Sequence, residues 1–454
     1  MFVPRKAGLA ASVGLLFLSS FAAAYGAAPI TTNLLVSVEA NSSSISGTTW
    51  SATDGTSNNA TLQASGMYTS PNTYVTFGDA TNQYANFGNV GSTASDISGE
   101  AWIYINTMHS GWNIVMSKWY GGGETDDWHF GFDGAKLRLC YQGNCPSAAW
   151  SSSTTAAGAW HHVAFTIKQP SSGLCTPSQA GGVVTLYMDG AQVAQDTGVG
   201  ACHPTSSTSL LLIGDNRGAV GNGLDGRVSK FRFFTQALTA SEIGKIFRAE
   251  ASQFSLTAAP YATALPTFSG SSSRVGVQQT GSQGTWINTP TGYTYRWYRS
   301  ATSGGSYAPI AGATSINYTS TSADANQYLK FEVTASNATG SIAETSTATM
   351  ITQSASSISV NPLPVSVTSN SVNNITSTPG SSGLVTFYSN GKRIAKCISL
   401  AANAGNSYTV TCPWKPTVTG SSAIHAIFKP TDIGYANATS SPIYTSVVRR
   451  SGKR

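Results

Sequence analysis

Apolar and polar residues alternate in short runs along most of this chain. The clearest run is Trp160-His161-His162-Val163-Ala164-Phe165-Thr166-Ile167. In an extended strand His161, Val163, Phe165 and Ile167 share one face, and Trp160, His162, Ala164 and Thr166 share the other. A second run, Val183-Val184-Thr185-Leu186-Tyr187-Met188, closes on Asp189-Gly190, the dipeptide favoured in two-residue hairpin turns. Similar runs at 74–77, 84–87, 97–105, 114–118, 128–132, 136–139, 210–214 and 224–234 predict further strands. Beyond residue 257, runs at 293–299, 329–335, 383–389 and 423–428 continue the pattern. The chain is predicted to be all-β.

The Trp-His-His-Val-Ala run followed by Leu186-Tyr187-Met188-Asp189-Gly190 resembles the signature of laminin-G-like, concanavalin-A-like jelly-roll domains. Glu100-Ala101-Trp102 resembles the family's Glu-Ala-Trp strand, and residues 224–234 resemble its closing strand. Residues 237–243 are similar to its short terminal helix, with Thr239 as N-cap. The sequence departs from the family at Gln83 and Ser229, where Asp is common. The resemblance implies an N-terminal two-sheet antiparallel jelly-roll sandwich over residues 30–250. Residues 259–352 and 357–448 are each similar to bacterial immunoglobulin-like repeats, which implies two further β-sandwiches. In the first of these, Trp297 sits mid-strand among alternating polar neighbours, as a buried sandwich Trp does.

Composition adds the compartment. Residues 1–26 read as a signal peptide: Arg5 and Lys6, an apolar stretch to Phe21, then small residues for cleavage. No later segment is apolar enough to span a bilayer, so release or attachment at the cell surface is expected. The six cysteines suit an oxidising compartment. Sequence alone does not fix their pairing. Sequential pairing is expected, Cys140 with Cys145, Cys175 with Cys202 and Cys397 with Cys412, because each pair brackets a turn or hairpin and none mixes domains. The formal charge is +6, but Arg5, Lys6, Arg449, Arg450, Lys453 and Arg454 lie at the two ends. The body is therefore close to neutral, the run 449–454 reads as a solvated basic tail, and no nucleic-acid partner is expected.

Candidate chemistry is sparse. Retaining glycosidases need two carboxylates about 5–5.5 Å apart, and no strand carries a suitable pair. No nucleophile elbow occurs either, so no enzymatic activity is expected. Trp112, Trp119, Tyr120 and Trp128 flank a Gly-rich loop carrying Glu124, Asp126 and Asp127. Aromatics with carboxylates make this the expected ligand site. Laminin-G-like domains often bind Ca²⁺ at a sandwich rim, and the resemblance offers Asp79, Asn82, Asp215 and Asn216 as oxygen ligands if their two loops converge. Turn capping is the competing role for these residues. The expected function is adhesion or carbohydrate binding, with a glycan or surface protein as partner. The alternatives are a structural matrix or filament component and, further off, a polysaccharide hydrolase.

Overall fold

The computed structural model describes residues 29–78, 83–91, 96–119, 128–141, 145–171, 175–176, 180–198, 200–203, 209–215 and 221–450. The signal-peptide segment 1–26 and residues 451–454 of the basic tail lie outside them. The chain is nearly all β and divides into two compact units, 1–250 and 251–454.

Unit 1 contains strands β1 (Leu34–Glu39), β2 (Ile45–Ser46), β3 (Thr49–Trp50), β4 (Ala60–Leu62), β5 (Val75–Phe77), β6 (Ala85–Asn86), β7 (Ile97–Ile105) and β8 (Trp112–Trp119). It continues with β9 (Trp128–Asp133), β10 (Lys136–Tyr141), β11 (Trp160–Lys168), β12 (Val183–Met188), β13 (Ala191–Asp196), β14 (Leu210–Ile213) and β15 (Gly226–Phe234). One sheet runs β1-β15-β7-β11-β12-β13 with β5 also on β15, and the other runs β10-β9-β8-β14-β6-β4-β3-β2. Non-consecutive neighbours in both sheets make this a jelly-roll sandwich rather than a meander.

Aromatic rings join the two inner faces. Trp128 of one sheet packs on Phe165 (4.7 Å between centroids) and Phe233 (6.0 Å) of the other, and Phe130 meets Phe165 at 5.3 Å. All four are fully buried. Gly99 makes room for this seam, since a Cβ there would lie 2.7 Å from both Met116 Sδ and the Phe165 ring.

The hairpin β12–β13 turns on Asp189 (φ 49°) and Gly190 (φ 77°), two left-handed residues that match strand twist. The Asp189 carboxylate accepts from the His162 backbone N–H (3.0 Å) and lies 2.9 Å from His161 Nδ1, tying β11 to the turn.

Helix α1 (Ala240–Glu250) follows β15. Thr239 caps it: its hydroxyl accepts from Glu242 N–H (3.2 Å), while the Glu242 carboxylate accepts from Thr239 N–H (2.7 Å). Ile243, Ile246, Phe247 and Glu250 form its buried stripe. The helix covers the outer face of the β7–β11–β15 sheet, where Ile243 and Ile246 cluster with Ala164 and Phe234. This is why β11 is buried on both faces from Val163 to Ile167, although its sequence alternates.

Unit 2 has two separate cores. In the first, strands Gly292–Ser300 and Gln327–Asn337 pair over nine positions, and Trp297 lies fully buried against Phe268, Phe331 and Tyr318. Its indole N–H donates to Ser315 O (2.9 Å). In the second, Gly383–Ser389 pairs with Gly420–Pro430, and Asn373–Ser377 pairs with Val410–Trp414 in a separate sheet.

The three disulfides pair sequentially. Cys397–Cys412 does not pin adjacent strands of one sheet, as its short spacing suggests. Cys412 lies on the Val410–Trp414 strand, and the backbone O of Cys397 bonds Phe387 of the other sheet, so the bridge joins the two sheets.

Candidate functional site

The outer face of the β5–β15–β7–β11 sheet is laid out in rows by cross-strand pairing. One row holds Phe234, Ser98 and Thr166; the next holds Arg232, Glu100 and Ala164; then come Lys230, Trp102 and His162; the last holds Arg227, Tyr104 and Trp160. Apart from Trp160 and Arg227 with Tyr104 in the last row, these residues are buried.

The covered rows hold an ionic network under α1. Arg232 pairs with Glu100 (2.7 Å) and Glu250 (2.6 Å), and Lys230 pairs with Glu250 (3.0 Å) and Glu39 (3.1 Å). The Trp102 indole N–H donates to Glu250 (2.6 Å). Burial opposes ionisation of Glu250, but Arg232 and Lys230 outweigh it and hold its carboxyl at about 2. Burial raises Glu39, with Lys230 opposing. Burial works against the Arg232 cation too, and the Glu250 and Glu100 carboxylates more than reverse that. His162 Nε2 lies 3.1 Å from Glu100, and its buried Nδ1 has no hydrogen-bond partner. A carboxylate only accepts, so Nε2 carries the proton that faces Glu100. The carboxylates here are paired with cations and closed off from solvent, an arrangement that holds the helix on the sheet.

The last row is only half-buried. The Arg227 guanidinium lies over the Tyr74 ring (4.7 Å) and the Tyr104 ring (4.8 Å). Trp160 packs edge-on against Tyr104 (5.7 Å) and tilted against Tyr74 (6.1 Å). All four residues are half-buried. Arg227, Tyr104 and Trp160 come from three neighbouring strands and Tyr74 immediately precedes β5, and their side chains close into one compact cluster. Trp160, a strand tryptophan that sequence alone would place in the core, is half-buried in this cluster. Strand alternation does put Trp160 on the face opposite Phe165, so the signal was present.

The expected ligand loop separates. Tyr120, Glu124, Asp126 and Asp127 lie outside the described residues, and Trp119 is described only as backbone of β8. Trp128 is fully buried in the aromatic seam and offers no ring to a ligand. Trp112 pairs with Asp133 while Lys118 pairs with Trp128, so Trp112 sits at the opposite end of the hairpin. There it joins another cluster: Arg138 lies over Trp150 (4.4 Å) and Trp112 (5.5 Å), pairs with Asp133, and donates to Cys145 O (2.8 Å). His129 packs edge-on against Trp112 (4.6 Å). Burial, and then the nearby Arg138 charge, hold His129 down at about 4.

Of the expected calcium ligands, Asp79, Asn82 and Asn216 lie outside the described residues, and Asp215 is fully buried. The flanks of the two loops do converge. A Cβ on Gly214 (φ 90°) would lie 2.2 Å from the Phe77 ring and 3.0 Å from Gln83 O. Gln83, standing where the family often has Asp, accepts from Gly78 N–H (2.8 Å). Ser229, the other departure, donates to Thr73 O (2.6 Å).

Unit 1 is thus a two-sheet jelly roll carrying two of the three disulfides. Residues 79–244 match the laminin-G-type family described as "Concanavalin A-like lectin/glucanases superfamily". Adhesion G protein-coupled receptor D2 of Homo sapiens is 31% identical over 94 residues, which is 19% of this chain and 9% of that protein. Among solved structures, a mutant of Trypanosoma rangeli sialidase displaying trans-sialidase activity is 18% identical with a TM-score of 0.37, covering 50% of this chain and 34% of that one. Domain 4 of AbnA, a GH43 extracellular arabinanase from Geobacillus stearothermophilus, in complex with arabinotriose, is 12% identical with a TM-score of 0.31, covering 47% of this chain and 98% of that one. The chain thus spans a small part of the curated relative and about a third of the sialidase. No helix among the described residues is long and apolar enough to cross a membrane.

Proposed function

We propose that residues 30–250 form a secreted or surface-displayed carbohydrate-binding head, and that residues 259–352 and 357–448 are immunoglobulin-like spacer modules. The observation that carries this reading is the half-buried cluster of Arg227, Tyr104 and Trp160 with Tyr74 beside them, next to the part of the sheet face buried by α1. Aromatic rings stack against the apolar faces of sugars, and the Arg227 N–H groups with the two phenolic hydroxyls supply directional bonds. The rings meet at 54° and 66°, an angled and compact cluster that suits a short sugar segment. The paired and buried state of Glu100 and Glu250 supports binding without turnover. The meeting of Gln83 with Gly214 beside the buried Asp215 supports a calcium ion at this rim, held by Asp215 with oxygen donors from the two loops.

The test is full-length protein on an array of neutral and acidic oligosaccharides, followed by titration calorimetry on the best ligand. Trp160→Ala and Arg227→Ala are expected to weaken binding at least tenfold, and Trp112→Ala to leave it unchanged. Undiminished binding by both cluster variants, or no binding to any glycan, overturns the reading.

A further inference from the structure

The C-terminal half of unit 2 has an uneven charge. Between residues 357 and 448 the basic residues are Lys392, Arg393, Lys396, Lys415 and Lys429, and Asp432 is the one acidic residue. Four of the five cations line a single open groove of about 660 Å³, which no carboxylate lines. In a chain with only 10% charged residues and a neutral body, that concentration is not a by-product of composition. We propose that this groove binds a polyanionic glycan, a polysaccharide chain bearing sulfate or carboxylate groups, at a site separate from the aromatic cluster of unit 1.

The groove is built rather than accidental. One wall is the turn from Ser389 to Lys396, with Asn390 (φ 50°) and Gly391 (φ 76°) forming the hairpin that pairs Ser389 with Lys392. Asn390 is fixed twice to Ala423, by its N–H (2.8 Å to Ala423 O) and by its side-chain oxygen (2.8 Å from Ala423 N). The other wall is the stretch 413–418, which carries Lys415. The Cys397–Cys412 disulfide, one residue beyond Lys396 and one before Pro413, joins the walls. Lys396 itself adopts the left-handed region (φ 64°), where Asn or Gly is at home and a Lys is strained. All four cations are exposed, so their charge is available to a partner.

The lining favours a glycan over a nucleic acid. Its one aromatic ring, Trp414, is 5% exposed and offers no face for base stacking. Three of the four cations are Lys, point charges suited to scattered sulfates or carboxylates rather than to planar bidentate recognition. Ser389, Asn390, Thr417 and Ser422 add groups that bond sugar hydroxyls.

Full-length protein is titrated with a fluorescent heparin oligosaccharide, with polygalacturonate and with oligo-dT of matched charge. Heparin or polygalacturonate is expected to bind more tightly than oligo-dT, and the better of the two identifies sulfate or carboxylate as the recognised group. Four ion contacts give a log–log salt slope of about −3, a loss of roughly 50-fold between 50 and 200 mM NaCl. The variant K392Q/R393Q/K415Q, altered only at exposed positions, is expected to lose at least tenfold in affinity. K429Q, outside the groove, and Trp160→Ala, on the other unit, are expected to retain it, so failure of the head's function and failure of this site read out separately. Oligo-dT binding as tightly as either glycan overturns the proposal. So does undiminished binding by the triple variant, or a loss confined to R449Q/R450Q in the basic tail.

Discussion

Lowering the pH from 7.5 to 5 is expected to destabilise unit 1 through His129. An unfolded histidine titrates near 6.5, and in the fold burial and then Arg138 hold His129 at about 4. The unfolded chain therefore takes up this proton first. The contribution of the neutral ring to stability is complete above 6.5 and is lost as pH falls from 6.5 towards 4. At 1.36 kcal/mol per pH unit, the whole gap corresponds to roughly 3 kcal/mol, of which about 2 kcal/mol is gone by pH 5. The side chain is only 7% exposed, so solvent screens little of this. For a unit of this size the loss lowers Tm by about 4–8 °C. Glu250, held near 2, loses its stabilising charge only as pH falls from 4.5 towards 2, below this window. Calorimetric melts of the full chain and of His129→Gln at pH 7.5 and pH 5 isolate the histidine. The wild-type unit 1 transition should fall several degrees further than that of the variant. Equal falls in the two proteins would falsify the assignment of His129 as a buried neutral ring.

Two further outcomes are expected. Arg232→Leu leaves Glu100 and Glu250 without their shared cation beneath α1, at a cost of about 3–5 kcal/mol; urea denaturation reads this, and a loss below 1 kcal/mol means the network is not closed as described. Calcium at ten times its dissociation constant adds about 1.4 kcal/mol and raises the unit 1 melt by a few degrees over the EDTA-treated protein, while Asp215→Asn abolishes the difference; identical melts with calcium and with EDTA rule the ion out.

Local features of the fold were readable from sequence, and long-range ones were not. The β12–β13 hairpin needs only Asp189-Gly190 and the flanking alternation, and the start of α1 needs only Thr239 and Glu242 three residues on. The position of Trp160 depends on where α1 lies over the sheet, which no local pattern encodes. Trp112 and Trp128 bracket one loop segment in sequence, yet an eight-residue strand puts them at opposite ends of a hairpin, and alternation then turns Trp128 into the core. The ionic network draws Glu39, Glu100, Lys230, Arg232 and Glu250 from four separate elements, so no motif spacing announces it.

That network accounts for where α1 lies on the sheet. Apolar contact alone is non-directional and does not by itself fix the position of α1 along the sheet. Charges under a helix are specific, because each displacement leaves a desolvated carboxylate or cation unmatched. Glu250, the last residue of α1, bonds Arg232, Lys230 and the Trp102 indole at once. Only one placement of the helix satisfies all three. In that placement Phe247 lies over Trp102 (5.8 Å) and near His162 (6.2 Å), and the helix stops at their row. Arg227, Tyr104 and Trp160, in the following row, and Tyr74 beside them stay half-buried. The buried charges of unit 1 thus fix which rows of the sheet face α1 covers.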